Sequence, residues 1–220
     1  MPYKGVYLIG LTGGIACGKS TVLEMLRERG AHVIDADRVT HELQRPGEQV
    51  YAAIVAAFGE GILAEPDHPG APRPIDRRRL GAIVFADPAE LRRLEQIVHP
   101  AVHARIFAWL DSIAERSGDA PDAAQPPVGP VAVIDAVKLL EAGWKSTCDA
   151  IWVVTCTPEQ QVQRLVETRG LTVEEARARI AAQPPQESRV AQADVVIDNS
   201  GSLEETRAQV QAAWERLGVS

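Results

Sequence analysis

The residues of this chain best suited to do chemistry lie close together near its start. Gly13-Gly14-Ile15-Ala16-Cys17-Gly18-Lys19-Ser20 fits G-x-x-x-x-G-K-[ST] at every position. That pattern cradles phosphate. Glycines let backbone N–H groups turn towards one anion without side-chain obstruction. A helix that starts there adds its dipole and its unpaired N–H groups. Lys19 would reach the β- and γ-phosphates of a nucleotide, and Ser20 would offer its hydroxyl to Mg²⁺. A glycine-rich turn that binds nothing is the alternative, and Gly18-Lys19-Ser20-Thr21 weighs against it. The chemistry so indicated is nucleoside triphosphate binding, with the second substrate left unnamed.

A cradle works only if a strand delivers it and a helix follows. Val6 to Leu11 is an apolar run of strand length, and Thr21 to Arg29 has helical spacing, with Val22, Leu23, Met25 and Leu26 available to face a core. Gly30 reads as the stop of that helix. Ala31 to Asp35 is a second short strand, ending in Asp35-Ala36-Asp37. If the chain stays extended there, both carboxylates lie on one side. Ligands of parallel α/β sheets bind beyond the carboxyl ends of the strands, which places Asp37 near the phosphate loop. Asp37 is the candidate catalytic base; capping a helix that starts at Arg38 is its structural alternative.

Other charged candidates are scattered along the chain. Arg77, Arg78 and Arg79 could meet an anionic substrate or simply form a solvated face. His99 precedes Pro100 and sits at an expected break in a long helical pattern opened by Asp87-Pro88. Val131 to Asp135 has the continuous apolar pattern of a buried strand, with Asp135 at its carboxyl end, where an acid linked to Mg²⁺ is often found in phosphate-loop enzymes. Ile151 to Thr155 is the next strand, and Thr157-Pro158 starts a helix carrying Arg164 and Arg169. Gly170 ends it, and Thr172 with Glu175 forms a capping box for another helix. Two short arginine-bearing helices between strands read as a lid. Val195 to Ile197 is the last strand and Leu203 to Leu217 a closing amphipathic helix.

The composition narrows the partners. The chain has 220 residues, 45% apolar and 24% charged, with 23 basic against 30 acidic side chains and a net charge of −7. These are the proportions of an ordinary globular protein. A long polyanion such as nucleic acid is therefore not expected as a partner. No apolar run approaches a membrane span, and the start of the chain enters a strand rather than a signal peptide. Three cysteines without metal-ligand spacing suit a reducing compartment, so the cytoplasm is expected. Oligomeric state leaves no mark in the sequence. Gly59 to Pro74 reads as loop, as does the low-complexity Ser117 to Pro130. Nothing marks a repeat or an independent second domain.

Several motifs together resemble the dephospho-coenzyme A kinase family along nearly the whole chain. Leu11-Thr-Gly-Gly-Ile15 before Gly18-Lys-Ser-Thr21 is similar to its phosphate loop, and Val33-Ile-Asp-Ala-Asp37 to its second strand and following acid. Ile75-Asp76-Arg77, Val84-Phe85 and His99-Pro100 resemble its substrate-binding insert. Arg164, Arg169 and Ala181-Ala-Gln183 resemble its lid, and Ala193-Asp194-Val-Val-Ile-Asp-Asn199 its last strand. One departure stands out: where the family has Pro-Leu-Leu-x-Glu, this chain reads Val137-Lys138-Leu139-Leu140-Glu141, so Lys138 either touches a substrate phosphate or is solvated.

The resemblance implies an α/β, three-layer P-loop NTPase fold with a mostly parallel sheet. Residues 1–220 would form a single P-loop kinase unit, with a helical coenzyme A-binding region at 38–130 and a lid at 160–190. It implies ATP-dependent phosphorylation of the ribose 3′-hydroxyl of dephospho-coenzyme A. ATP would be held by Gly14, Ala16, Cys17, Gly18, Lys19, Ser20, Thr21 and Asn199, with adenine near Asn199 and Mg²⁺ on Ser20. Asp37, Lys19, Arg164 and Arg169 would be catalytic, and Asp37, Arg77, His99 and Lys138 would bind the acceptor. Two other classes stay open at this point: another P-loop small-molecule kinase, such as one acting on nucleoside monophosphates, and a non-catalytic nucleotide-operated regulatory protein.

Overall fold

The structure is a computed structural model and describes residues 2–66, 68–118 and 129–218. The chain divides into two units, residues 1–35 with 110–220, and residues 36–109.

The first unit is built on a five-stranded sheet in which every pairing is parallel: β1 (Tyr7–Gly13), β2 (His32–Asp35), β3 (Val131–Asp135), β4 (Ala150–Thr155) and β5 (Val195–Asp198), in the order β2-β3-β1-β4-β5. Strands buried on both faces carry continuous apolar runs. This is why β3 and β4 are buried at every position, and β1 at all but its first. Side chains alternate between faces. Ile9, Leu11, Val133, Trp152, Val154 and Ile197 point to one side. There they pack with Val22, Leu23, Met25 and Leu26 of α1 (Lys19–Arg27). Val210, Ala213 and Trp214 of α9 (Leu203–Glu215) complete that layer. Each such large side chain contributes roughly 1.5–3 kcal/mol on burial. On the opposite side, a Cβ on Gly10 would lie 2.6 Å from Leu139 Cδ2 and 3.0 Å from Cys148 Sγ, so residues 136–148 press closely on that face.

α6 (Pro158–Arg169) and α7 (Val173–Ala181) pack on each other. Both begin in capping boxes, Thr157 with Gln160 and Thr172 with Glu175, and α6 ends at Gly170 in the left-handed conformation. A short helix not foreseen from the sequence, α8 (Gln186–Val190), precedes β5. Pro184 and Pro185 stop α7, and Pro185 then stands at the N-cap of the next turn.

The second unit holds α2 (Ala36–Leu43), α3 (Gln49–Phe58), α4 (Arg77–Val84) and the larger part of α5 (Pro88–Gly118). Asp76 caps α4, its carboxylate accepting from the N–H groups of Arg78 (2.9 Å) and Arg79 (3.2 Å). α5 runs past residue 109, the end of this unit.

Several local expectations are corrected. The first helix begins at Lys19, not Thr21. The chain does not stay extended through Asp37. It turns helical at Ala36, so Asp37 sits in the first turn of α2 and is not an N-cap before Arg38. Ala36, Val39 and Leu43 are buried at helical spacing, and that apolar face outweighs extension of the strand. His99-Pro100 is not a break either. α5 is continuous from Pro88 to Gly118 with Pro100 inside it. An interior proline costs about 3 kcal/mol. The buried stripe Val98, Val102, Ile106, Leu110 and Ile113 offsets that cost. Pro100 and Gln96 are both exposed, so water can satisfy the carbonyl that loses its partner. Of the expected Ser117–Pro130 loop, Ser117 and Gly118 end α5, and residues 119–128 lie outside the described residues.

Candidate active site

β1 delivers the phosphate loop and α1 receives it, and the backbone between them is unusual. Ala16 has φ 58° and Gly18 has φ 87°, two left-handed residues two positions apart. Such alternation curls successive N–H groups around a concavity suited to an anion. Gly18 has a second reason to be glycine: a Cβ there would collide with Asn199 Nδ2. Gly13 has a comparable one, since its Cβ would stand 2.6 Å from the Val154 carbonyl oxygen on β4.

Side chains from distant segments hold the loop in shape. Asn199, 7% exposed, donates from Nδ2 to the Cys17 carbonyl (2.8 Å). Its Oδ1 accepts from the Thr206 hydroxyl (2.9 Å). Arg164 donates to the carbonyls of Ala16 (3.2 Å) and Asn199 (2.9 Å). Gln161 Nε2 donates to the Ile15 carbonyl (2.8 Å), and the Ile15 N–H donates to Gln183 Oε1 (2.9 Å). Lys19 Nζ is paired with the Asp135 carboxylate at the end of β3. Asp35, at the end of β2, is the register partner of Asp135, so two acids lie side by side at that edge of the sheet.

Most of the candidate nucleotide residues come together here. Gly14, Ala16, Cys17, Gly18, Lys19 and Ser20 line a cavity of about 370 Å³ with Arg169, Val137 and Gln183 in its wall. Thr21, Arg164 and Asn199 line an adjoining cavity of about 480 Å³, together with Gly201 and Leu203; Ala16, Gly18, Ser20 and Arg169 belong to both. The two arginines expected in a lid therefore differ. Arg164 is committed to main-chain carbonyls, whereas Arg169 is exposed at the cavity wall, its side chain with no hydrogen bond or ion pair to another described residue. Lys138 is exposed in the turn after β3, and its neighbour Val137, not Lys138, reaches the cavity wall.

Asp37, Arg77 and His99 belong to the second unit. Asp37 and Arg77 are exposed in the first turns of α2 and α4, and His99 is half-buried in α5. Sequence reasoning missed Gln161, which carries no signal beyond its place in a helix, and the pairing of Lys19 with Asp135. The second was within reach, because a loop lysine and a strand-end acid at neighbouring parallel strands converge by topology.

Oxygen donors suited to a hard cation are present at this edge: the exposed Ser20 hydroxyl and the Asp135 and Asp35 carboxylates. Among the described residues no group of three or more His, Cys, Asp or Glu side chains forms a metal cage. One hydroxyl and one or two carboxylates fit Mg²⁺, which keeps waters and takes the rest of its ligands from substrate phosphates.

Comparisons with known proteins identify the family and the fold. The family model described as dephospho-CoA kinase matches residues 7–205. The chain belongs to the dephospho-CoA kinase family. It is 49% identical over 207 residues to the dephospho-CoA kinase of Symbiobacterium thermophilum, covering 94% of this chain and 80% of that protein. The dephospho-CoA kinase of Geobacter sulfurreducens is 46% identical over 209 residues, with 95% and 98% covered. Among solved structures, TT1252 from Thermus thermophilus superposes with a TM-score of 0.75 at 31% identity, over 96% of this chain and 97% of that one. The dephospho-CoA kinase from Campylobacter jejuni shares the fold at a TM-score of 0.65 and 23% identity, over 97% and 98%. The fold is thus the α/β P-loop kinase fold. Among the described residues no helix is long and apolar enough to cross a membrane.

Proposed function

We propose that this protein is an ATP-dependent kinase that phosphorylates the ribose 3′-hydroxyl of dephospho-coenzyme A, giving coenzyme A and ADP. The observation that carries the reading is the phosphate loop, with Lys19, Ser20 and Arg169 around one cavity, in a chain of the dephospho-CoA kinase family. The phosphoryl group needs alignment and charge neutralisation more than covalent help from the protein. In our reading the N–H groups from Ala16 to Thr21 hold the triphosphate, Lys19 moves from Asp135 to the β- and γ-phosphates, and Arg169 approaches the transferring group. Arg164 and Asn199 keep the loop and the adenine side in shape. Mg²⁺, held by Ser20 and the strand-end acids, supplies charge neutralisation on the phosphates when bound. Asp37 takes the proton of the attacking hydroxyl. Residues 36–109, with Arg77 and His99, receive the acceptor, and α6 and α7 act as the lid. Lys138, exposed beside the cavity wall, meets solvent or an acceptor phosphate. A cytoplasmic location belongs to the same reading and is supported by the low cysteine count.

The deciding experiment is steady-state ADP release from ATP with a panel of acceptors. The reading predicts release stimulated by dephospho-coenzyme A and not by nucleoside monophosphates. Stimulation by a nucleoside monophosphate would reassign the acceptor. Nucleotide binding without acceptor-stimulated release would make the chain a regulatory protein.

A further inference from the structure

Arg189, in the short helix α8, is buried without an opposite charge. It is 5% exposed. Among the described residues its side chain makes a single hydrogen bond, from Nη1 to the Pro184 carbonyl at 3.2 Å, and no ion pair. A guanidinium carries five N–H donors and stays charged throughout the physiological pH range. Glu187 is the acid next along α8, but it is exposed and two residues away, a spacing at which helical side chains do not face each other. Buried charges are normally paired. Arg189 therefore calls for a partner that the chain does not supply.

Arg189 lines a cavity of about 340 Å³ that shares only Gly14 and Gln183 with the wall of the phosphate cavity. Gln183 and Gln186, both half-buried, line it too. Each turns its side-chain oxygen to the phosphate loop. Gln183 Oε1 accepts from the Ile15 N–H (2.9 Å), and Gln186 Oε1 accepts weakly from the Cys17 thiol (3.8 Å). Their amide NH₂ groups are left to donate, and neither bonds another described residue. One guanidinium and two such amides on a single cavity suit an oxyanion, which accepts from all three. Much of the remaining wall is apolar, including Pro158, Ile180 and Pro185, and Glu187 is its one acid. The volume lies at the lower end of small-molecule sites. The ligand class is a phosphate or carboxylate with a few carbons attached.

We infer that this cavity is a second oxyanion site, held by Arg189 and coupled to the phosphate loop through Gln183. The planar guanidinium meets two oxygens of the anion side by side. An anion that also accepts from the Gln183 NH₂ fixes that amide, and with it the hydrogen bond from the Ile15 N–H. Gln161 already holds the other side of Ile15, donating to its carbonyl (2.8 Å). The occupied cavity thus stiffens the loop that receives the nucleotide. Ordering supplied by one ligand need not be supplied by the next, so each raises the affinity of the other. The factor is the same in both directions.

The coupling rests on the nucleotide-binding reading above; the site does not. Full-length protein labelled with ¹⁵N is titrated with inorganic phosphate and, separately, with propanoate. Each titration is run with and without a saturating non-hydrolysable ATP analogue and Mg²⁺, which fill the phosphate cavity. With the analogue present, we expect saturable shifts of the Arg189 Nε–H and of the Gln183 and Gln186 side-chain amides with at least one probe. The probe that acts tells a phosphate ligand from a carboxylate. Arg189→Gln should weaken that binding at least about tenfold. By calorimetry, the saturating probe should raise the affinity of the analogue about fivefold. In Gln183→Ala the probe should still bind and the analogue should no longer respond. No saturable shift with either probe, or amide shifts that persist in Arg189→Gln, would overturn the site. If Arg189→Gln does not fold, the shifts in the parent protein decide. Binding that leaves the analogue affinity unchanged would overturn the coupling. A protein that fails to bind the analogue would refute the nucleotide reading, and the titrations without it would still read the site at Arg189.

Discussion

The phosphate-loop region and the helical unit at 36–109 present their functional candidates in opposite ways. Around the loop, the polar side chains that shape it are buried or half-buried, and each is tied to main chain. Asn199 is 7% exposed and bonded on both ends of its amide. In the helical unit His99 is half-buried and the charged candidates lie in the open. Asp37 and Arg77 are exposed, as is Phe85, whose exposure is 75%. The Arg77 side chain makes no hydrogen bond or ion pair among the described residues. A preformed cradle spends its ordering cost during folding, so a ligand meets groups already in position. Side chains in the open leave that ordering to the acceptor. The comparison therefore separates two kinds of variant: those in the loop region should act on chemistry and on stability, and those in the helical unit on acceptor affinity, with Asp37, the proposed base, acting on chemistry as well.

Lys19→Ala should have the largest effect. It removes the cation proposed to meet the β- and γ-phosphates, and kcat should fall on the order of 10³-fold or more with the helix content by circular dichroism unchanged. Near-normal turnover would break the assignment of the loop.

Arg164 and Arg169, the arginines of the proposed lid, sharpen the contrast within one helix. Arg169→Ala should lower kcat at least about tenfold, since an arginine acting on a transferring phosphoryl group is worth up to about 10³–10⁵, and should leave the melting temperature unmoved. Arg164→Ala removes two hydrogen bonds from a guanidinium to main-chain carbonyls and should destabilise the fold by roughly 1.5–3 kcal/mol, seen as a lower melting temperature. If both variants melt like the parent and keep kcat within tenfold, neither the lid nor the brace reading survives.

Arg77→Ala should do least. An exposed ion contact is worth about 0–1 kcal/mol, so KM for dephospho-coenzyme A should rise about two- to fivefold, with KM for ATP and kcat unchanged. A loss confined to ATP binding would place Arg77 on the wrong side of the comparison.

The same contrast explains what the sequence made legible. The strands were readable because a parallel sheet buried on both faces needs unbroken apolar runs, and Val131–Asp135 is one. The caps at Thr157 and Thr172 were readable because capping is a local matter of side chain and backbone. The departures came where tertiary burial overrides a local rule. Pro100 reads as a break, yet the buried stripe from Val98 to Ile113 carries α5 through it. Asp37 reads as extended, yet burial of Ala36, Val39 and Leu43 turns the chain helical one residue earlier. At the site, the loop itself was legible from Gly13 to Ser20. Its braces were not, because Gln161 and Thr206 reach it from far along the chain and nothing in their local sequence marks them.

The most direct test of the account is the kinetics of Asp37→Asn beside Asp35→Asn. Asn keeps the size and the hydrogen bonding expected of a structural residue but cannot accept the hydroxyl proton. The account predicts that kcat of Asp37→Asn falls about 10²–10⁴-fold, a barrier increase of roughly 3–5 kcal/mol, with ATP affinity little changed. Asp35→Asn should keep the larger share of its turnover. A dead Asp35→Asn beside an active Asp37→Asn would assign the proton to the other carboxylate, and two active variants would contradict general-base help from this segment altogether.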